Sequence, residues 1–246
     1  MKKSYFILVL VLGIGSFIFN NHLKDKFYNE KKESDYQQFS LKNIKLNFQS
    51  KSLDNSYSLT SPKVLRNSNL EDFKLTSPYL ESFSKGLLIN IIKAKKGTLD
   101  PKMDLFILED TVTLENNENN SFLITSDEMK INSFTNAVSS ELPAIIKFEE
   151  FYFKSDNFFL ESKSKRGLEI ILNSAKIYRK VQNKSDVSLG SAKKVSFYPS
   201  SGLVILEKSV TLNHDNIIIT AEYASTAWHP AQSTHCERRS MYQRIR

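Results

Sequence analysis

The sequence has one cysteine, Cys236, among 246 residues. A single cysteine excludes an internal disulfide bond and a thiolate metal cluster. Glycine and proline are also few, at seven and six residues, so long linkers rich in these residues are absent. No histidine spacing is typical of metal ligands on a strand. The histidines are His22, His214, His229 and His235. We therefore expect no metal and no other cofactor.

Motifs of catalysis are missing as well. The chain contains neither a Gly-x-Ser-x-Gly sequence nor a phosphate-binding loop. Two carboxylate pairs, Asp100 with Asp104 and Glu149 with Glu150, have the residue type needed for acid–base chemistry. Acidic residues are ordinary at protein surfaces, so we interpret both pairs as solvated turn or edge charges. The sequence predicts a protein that is not an enzyme and has no catalytic residues.

Positive charge is scarce in the middle of the chain. The formal net charge is +7, but residues 1–24 and 225–246 contribute +3 each, which leaves +1 for residues 25–224. A protein that binds nucleic acid concentrates positive charge on its folded face. This distribution therefore predicts no nucleic-acid partner.

The N-terminus contains an apolar run from Tyr5 to Phe19 that only Ser16 interrupts, and Lys2 and Lys3 precede it. Fifteen helical residues span about 22 Å, which snorkelling lysines or slight bilayer thinning can extend to a membrane core. The lysines place the N-terminus in the cytoplasm. We predict a single-pass membrane anchor at 1–23, a charged linker at 24–40 and a body on the far side of the membrane from the cytoplasm. A cleaved signal peptide is the alternative.

The body of the chain predicts β-strands throughout. Apolar and polar residues alternate in stretch after stretch, as in "LFILEDTVTL" at 105–114 and "LEIILN" at 168–173. Period 2 with β-branched and aromatic residues is the pattern of a half-buried strand. Turn-forming clusters such as "NNENN" and "PSSG" separate the runs. The predicted fold class is therefore all-β.

Repeats indicate that the chain stacks similar units. The letters Leu-Thr-Ser-Pro occur at Leu59–Pro62 and again at Leu75–Pro78, where we expect each proline to close a strand. A longer repeat aligns 94–114 with 192–212 at an offset of 98, with 11 of 21 residues identical. It continues with 123–128 against 218–223. Each unit predicts strand, proline turn, strand, short break and strand, and stacked units leave open edges at both ends.

These segments resemble the periplasmic domain of the LptC family of lipopolysaccharide transport proteins. The resemblance covers 56–184, through "YSLTSPKVL", "INIIKAKKGTLDPKMDLFILEDTVTL", "LITSDEMKINSFTNAVSSE" and "LESKSKRGLEIILNSAKIYRK". Residues 190–224 resemble one further unit of the kind found in LptA and in the N-terminal domain of LptD. We accordingly assign 41–184 to an LptC-like β-jellyroll and 185–224 to an additional LptA-like unit. Composition changes after Ala224, and we predict a disordered, atypical tail at 225–246.

The resemblance implies an open, twisted β-jellyroll of about 15 antiparallel strands, preceded by the transmembrane helix. It also implies lipopolysaccharide as ligand, the inner-membrane lipopolysaccharide ABC transporter complex as donor, and an LptA-type periplasmic protein as acceptor. The chain would receive lipopolysaccharide and pass it on through an apolar β groove. An envelope β-scaffold without lipid transfer is the alternative, followed by an anchored envelope enzyme.

The alternation supplies candidate residues for this function, although alternation itself indicates only that a side chain faces inward. The lipid-binding candidates are Phe106, Leu108, Val112, Leu114, Phe122, Ile124, Phe148, Phe159, Ile170 and Leu172. The candidates for an edge that pairs with a partner are apolar, β-branched and uncharged. They are Ile217, Ile218, Ile219, Thr220 and Ala221.

Overall fold

The computed structural model describes residues 38–50, 55–67, 72–117, 121–163, 167–181, 185–214 and 217–227. In these ranges the chain forms sixteen antiparallel β-strands and one 3-10 turn, where the resemblance implied about 15 strands. This confirms the all-β prediction. The predicted helix at Tyr5–Phe19 lies outside the described residues, as do residues 228–246 of the predicted tail. Within the described ranges no helix is long and apolar enough to cross a membrane.

The strands follow one another along the chain with short connections. They are β1 (Gln38–Gln49), β2 (Asn55–Asn67), β3 (Phe73–Thr76), β4 (Tyr79–Ser84), β5 (Leu87–Lys93), β6 (Lys96–Leu99), β7 (Leu105–Asn116), β8 (Phe122–Asn132), β9 (Ala137–Ser140), β10 (Ala144–Phe148), β11 (Phe151–Ser155), β12 (Asn157–Lys163), β13 (Gly167–Arg179), β14 (Val187–Tyr198), β15 (Leu203–His214) and β16 (Ile217–Ala227).

The sixteen strands form twelve passes of a single meander. Four passes are split in two, as β3/β4, β5/β6, β9/β10 and β11/β12, and each pass pairs with the passes before and after it. The long strands β2, β7, β8 and β13 each lie beside a split pass. Each of them pairs with one short strand of that pass through one half of its length and with the other short strand through the other half. β7, for example, pairs with β5 through Thr113–Asn116 and with β6 through Phe106–Glu109. The sheet is therefore folded into two layers.

We call the layer that contains β4, β5, β10 and β11 layer 1, and the layer that contains β3, β6, β9 and β12 layer 2. Unsplit passes contribute one half to each. The two layers meet at a fold line, where each pass breaks or bends. Residues with positive φ occur there in strands that do not break, including Asn43 in β1, Asp110 and Thr111 in β7, and Ser174 in β13. The left-handed conformation redirects the strand.

The fold line explains the repeated Leu-Thr-Ser-Pro. Pro78 lies in the two-residue connection after β3 and directly precedes β4, so it follows a strand end as predicted. Pro62, in contrast, lies inside β2 and does not close it, so that prediction was wrong. The reason is that β2 changes partner there: its pairing with β4 ends at Thr60 and its pairing with β3 begins at Lys63. Proline lacks an N–H group, so it fits where the ladder is interrupted.

The 98-residue repeat corresponds to repeated structure. β7 (Leu105–Asn116) and β15 (Leu203–His214) have the same length at that offset. The positive-φ pair Asp110–Thr111 in β7 recurs as Lys208–Ser209 in β15. β8 and β16 are likewise equal in length, and β16 extends through Ala227, so it includes the first three residues of the predicted tail. β16 is the last strand of the sheet, and among the described residues it pairs only with β15.

Candidate functional site

The inner faces of the two layers enclose an apolar interior. In layer 2 one row of opposed side chains, which we call the inner rung, crosses all twelve passes. From β1 to β16 the inner rung consists of Phe39, Arg66, Phe73, Leu99, Phe106, Ile131, Val138, Leu160, Ile170, Phe197, Val204 and Thr226. Every member from Leu99 to Val204 is buried. The interior is thus continuous across the sheet and closed in its middle.

Nine of the ten lipid-binding candidates line this interior and are at most 2% exposed. They are Phe106, Leu108, Val112, Leu114, Phe122, Ile124, Phe148, Ile170 and Leu172. Side chains fill the space between them. Phe148 and Phe197 pack edge to face with ring centroids 4.9 Å apart, and Phe153 lies 5.3 Å from Phe197. A long ligand could occupy this space only if the two layers moved apart or these rings turned aside.

Phe159 does not join this set. Its side chain points to the outer face of layer 2 and is 38% exposed, whereas its neighbours Phe158 and Leu160 are buried inside. Phe159 and Leu105 instead line a cleft of about 390 Å³ on that outer face. In "NFFLE" alternation alone does not decide whether Phe158 or Phe159 faces inward, because it assigns the two faces of a strand only after one side chain has been placed.

Several interior residues escaped the sequence reasoning. Phe197 is fully buried, and the 98-residue offset relates it to Leu99, another member of the inner rung. The repeat could thus have identified Phe197 as an interior residue. Phe48 stacks on Tyr57 at 5.3 Å and on Phe106 at 5.6 Å, which joins β1 to β2 and β7 across the interior. No single segment of sequence indicates this contact between distant strands.

One rim of the interior is polar. The Asn116 side-chain amide donates a 2.9 Å hydrogen bond to Asn90 Oδ1, and the Asn90 amide donates a 3.1 Å bond to Ser82 Oγ. All three side chains are buried on the inner face of layer 1. Because buried amides need partners, this ladder fixes the alignment of β4, β5 and β7. It also bounds the apolar interior at this rim.

A tyrosine crosses the interior between the layers. The Tyr57 hydroxyl donates a 2.6 Å hydrogen bond to Asn136 Oδ1, so β2 is tied to the turn between β8 and β9. Burial raises the pKa of Tyr57 to about 12. On the outer face of layer 1, a hydrogen bond to Asp186 raises the pKa of Tyr152 to about 12. Both phenols are therefore neutral at ordinary pH.

The carboxylate pairs considered above have structural partners. Asp100 Oδ1 accepts hydrogen bonds from the backbone N–H groups of Asp104 and Leu105, which closes the turn between β6 and β7. Glu150 forms a 3.1 Å ion pair with Arg179. Among the residues that the structure describes, no three His, Cys, Asp or Glu side chains could together hold a metal ion.

The interior opens at its two ends. At the N-terminal end the inward-facing Phe39 and Leu41 of β1 are 54% and 38% exposed. At the C-terminal end Ile217 of β16 is 60% exposed. The partner-edge candidates alternate along β16: Ile217, Ile219 and Ala221 face the interior, while Ile218 and Thr220 face outward. Apolar inner surface thus reaches both terminal strands.

A comparison with protein families gives one match. The family model described as "Lipopolysaccharide-assembly, LptC-related" matches residues 6–166, which are more than half of the chain. The matched segment ends between β12 and β13, so β13 to β16 lie beyond it. No curated protein matches the sequence.

Proposed function

The chain belongs to the LptC-related family of lipopolysaccharide assembly, and from this membership we propose that the interior between layer 1 and layer 2 holds the acyl chains of lipopolysaccharide in transit between the two membranes. The family is a component of lipopolysaccharide transport in the cell envelope and is not an enzyme family. The acyl chains are the part of that lipid that cannot cross water unshielded. Each methylene moved from water into an apolar interior contributes about 0.8 kcal/mol.

The observation that supports this proposal is the continuity of the apolar inner face. The inner rung has one member in each of the twelve passes from β1 to β16 and is exposed only near the ends. A core that served packing alone would not need exposed apolar residues such as Phe39 and Ile217 on its inner face at both open ends. The ten lipid-binding candidates remain a proposal, and the outward position of Phe159 leaves it the weakest member.

We also propose the direction of transfer and the partners. The apolar N-terminal run would anchor the chain in the inner membrane, with its N-terminus in the cytoplasm and its bulk in the periplasm. Lipopolysaccharide would then arrive from the inner-membrane ABC transporter complex at β1 and leave through β16 to an LptA-type protein. A terminal strand has backbone N–H and C=O groups free to pair with another sheet.

The lipid-holding role can be tested by photo-crosslinking from adjacent positions on β1. Leu46 faces the interior and is partly buried, whereas Asn47 faces outward and is exposed. A photoreactive amino acid at Leu46 should give an adduct with the mass of lipopolysaccharide in cells, and the same amino acid at Asn47 should not. Equal adducts at both positions, or none at Leu46 in a folded protein, would refute the role.

The docking edge can be tested by a charge placed on β16. Ile219→Lys puts an ammonium group on the inner face of the terminal strand, where a partner sheet would have to bury it. Ile218→Lys puts the same group on the outer face, 70% exposed in the native protein. Pull-down of an LptA-type protein should fall at least about tenfold for the first variant and stay near wild type for the second. The opposite order would exclude β16 as the docking edge.

An envelope scaffold without lipid transfer is the second candidate function. The filled interior favours it, because Phe148, Phe153 and Phe197 leave no room for a chain in the observed conformation. The two functions differ in the Leu46 experiment. A scaffold predicts no lipid adduct there, while the partner pull-down through β16 would remain.

A further inference from the structure

The N-terminal end of the sheet is basic. Strands β1, β2 and β3 contain five cationic residues and no carboxylate. The cations are Lys42, Lys45, Lys63, Arg66 and Lys74. The last three strands, β14, β15 and β16, differ because they contain the carboxylates Glu207 and Glu222 beside Lys193, Lys194 and Lys208. The two open ends of the interior thus present different charge.

Arg66 is the single charged member of the inner rung. It lies between Phe39 on β1 and Phe73 on β3, and its guanidinium carbon is 5.0 Å from the centre of the Phe73 ring. The side chain is exposed and forms no ion pair within the described part of the chain. Asp72, directly before β3, is also exposed and is not paired with it. A guanidinium held over a ring presents its N–H groups in a fixed plane.

Two lysines on the opposite face of the same layer are placed against each other. Lys42 and Lys63 are direct cross-strand partners, and like charges in that position are destabilising. Elsewhere lysines have acidic neighbours: Lys194 is 2.6 Å from Glu207, and Lys96 is 2.7 Å from Asp110. The N-terminal end therefore has a positive field that nothing on its own three strands neutralises.

We propose that this end is a binding site for the phosphorylated head of an anionic amphiphile, with Arg66 binding a phosphate group while the apolar chains pass Phe39 and Leu41 into the interior. The proposal rests on the proposed function and deepens it, because it names the contact that selects the ligand. A guanidinium binds two phosphate oxygens at once, and a partly exposed contact of this kind changes affinity several-fold. The lysines contribute attraction at longer range.

The apolar neighbours of Arg66 distinguish this ligand from an acidic protein. Phe39 is 54% exposed and Leu41 38% exposed on the same inner face. An acidic peptide would gain from the cations but would leave these side chains in water. An amphiphile would contact the cations and also cover the apolar side chains, since its charged head and apolar chains meet at one boundary.

The test uses the full-length chain in detergent micelles with a photoreactive phenylalanine analogue at Phe39. The probes are lipopolysaccharide and the same lipopolysaccharide after enzymatic removal of its phosphates. Adduct yield with the phosphorylated probe should exceed that with the dephosphorylated probe at least about fivefold. Arg66→Gln should lower the first yield to the level of the second. Arg66→Lys, which keeps the charge but not the two-point contact, should give an intermediate yield.

The matched control is Lys176→Gln, which removes one positive charge from an exposed residue on the outer face of layer 1. It should leave both yields unchanged. Equal yields for the two probes, or no effect of Arg66→Gln in a protein with native circular dichroism, would overturn the proposal. So would competition by inorganic phosphate at the concentration of the lipid, because the site would then bind a free anion. Crosslinking in cells to a protein in place of lipid would assign the site to an acidic partner and would likewise overturn it.

A photoreactive residue at Leu46 separates this proposal from the proposed function. A lipid adduct at Leu46 that does not depend on phosphate or on Arg66 would support the proposed lipid-holding function and contradict only the proposed phosphate site. Absence of lipid adducts at both Leu46 and Phe39 would contradict both the lipid-holding function and the phosphate site.

Discussion

The contribution of a single interior residue depends on which face of its strand it occupies. Leu108 is fully buried, and its side chain lies so close to Gly97 that a Cβ there would be 2.8 Å from Leu108 Cδ2. We predict that Leu108→Ala lowers the free energy of unfolding by about 3 kcal/mol, because a cavity remains. The control is Leu105→Ala on the same strand, at a residue 37% exposed, which should cost under about 1 kcal/mol. Urea unfolding measures both, and equal losses would contradict the placement.

Tyr57 predicts a dependence of stability on alkaline pH. Its pKa is about 12 in the fold and about 10 when unfolded, so the fold favours the neutral phenol. The contribution is complete below pH 10 and is lost as the pH rises towards 12. Wild type should therefore lose more stability between pH 10 and 12 than Tyr57→Phe, in which Tyr152 still titrates. Parallel loss in the two proteins, measured by urea unfolding, would show that Tyr57 is not buried as described.

At this scale the sequence predicted the apolar faces but not every member of them. Alternation located Leu108 and Leu114 inside because their strand has one unambiguous parity. It failed at Phe158 and Phe159, where two aromatic residues are adjacent and the partner strands decide which one faces inward. The position of Arg66 inside the inner rung also depends on pairing, since nothing local distinguishes it from an outward-facing arginine.

Within one strand, the fold line separates ordinary from strained backbone. Thr111 has a φ of 64°, a conformation that β-branched residues rarely adopt, whereas Thr113 lies in a regular part of β7. We predict that Thr111→Gly raises the free energy of unfolding by up to about 1 kcal/mol, because glycine relieves the strain. Thr113→Gly should lower it by about 1 kcal/mol, since it only loosens a strand. If both variants are destabilised alike in thermal unfolding, the bend is not strained.

Existence of the strands could be predicted from sequence, while their breaks could not. Period 2 continues across the bend of β7, where Asp110 and Thr111 are both left-handed, so the sequence pattern of that strand does not show the bend. In β13 the buried set changes parity at Ser174, from Ile170 and Leu172 to Ala175 and Ile177. The exception is the repeat. Its offset of 98 aligns β7 with β15 residue for residue, bend included, so one unit predicts the other once either is known.

For the whole molecule, the last three strands act as an addition to a sheet that already has both layers without them. Strands β8 and β13 are connected through β10 and β11 in layer 1 and through β9 and β12 in layer 2. We predict that a chain ending at residue 184 still folds, with a lower unfolding temperature, because Ile170, Leu172 and Ile177 lose their cover from β14. It should also associate more, since β13 becomes a bare edge. Calorimetry and light scattering measure these effects, and loss of any cooperative transition would show that β14 to β16 belong to one folding unit with the rest.

The equal length of β7 and β15 has a consequence for the distance that the sheet spans. Strands lie about 4.8 Å apart within a sheet, so the three strands β14, β15 and β16 lengthen it by about 14 Å. Because β15 repeats the bend of β7 at positions offset by 98, the added unit contributes to both layers as the β7 unit does. A protein built in this way can change its reach across an aqueous gap in steps of whole units, by gaining or losing a repeat, without redesigning either of its ends.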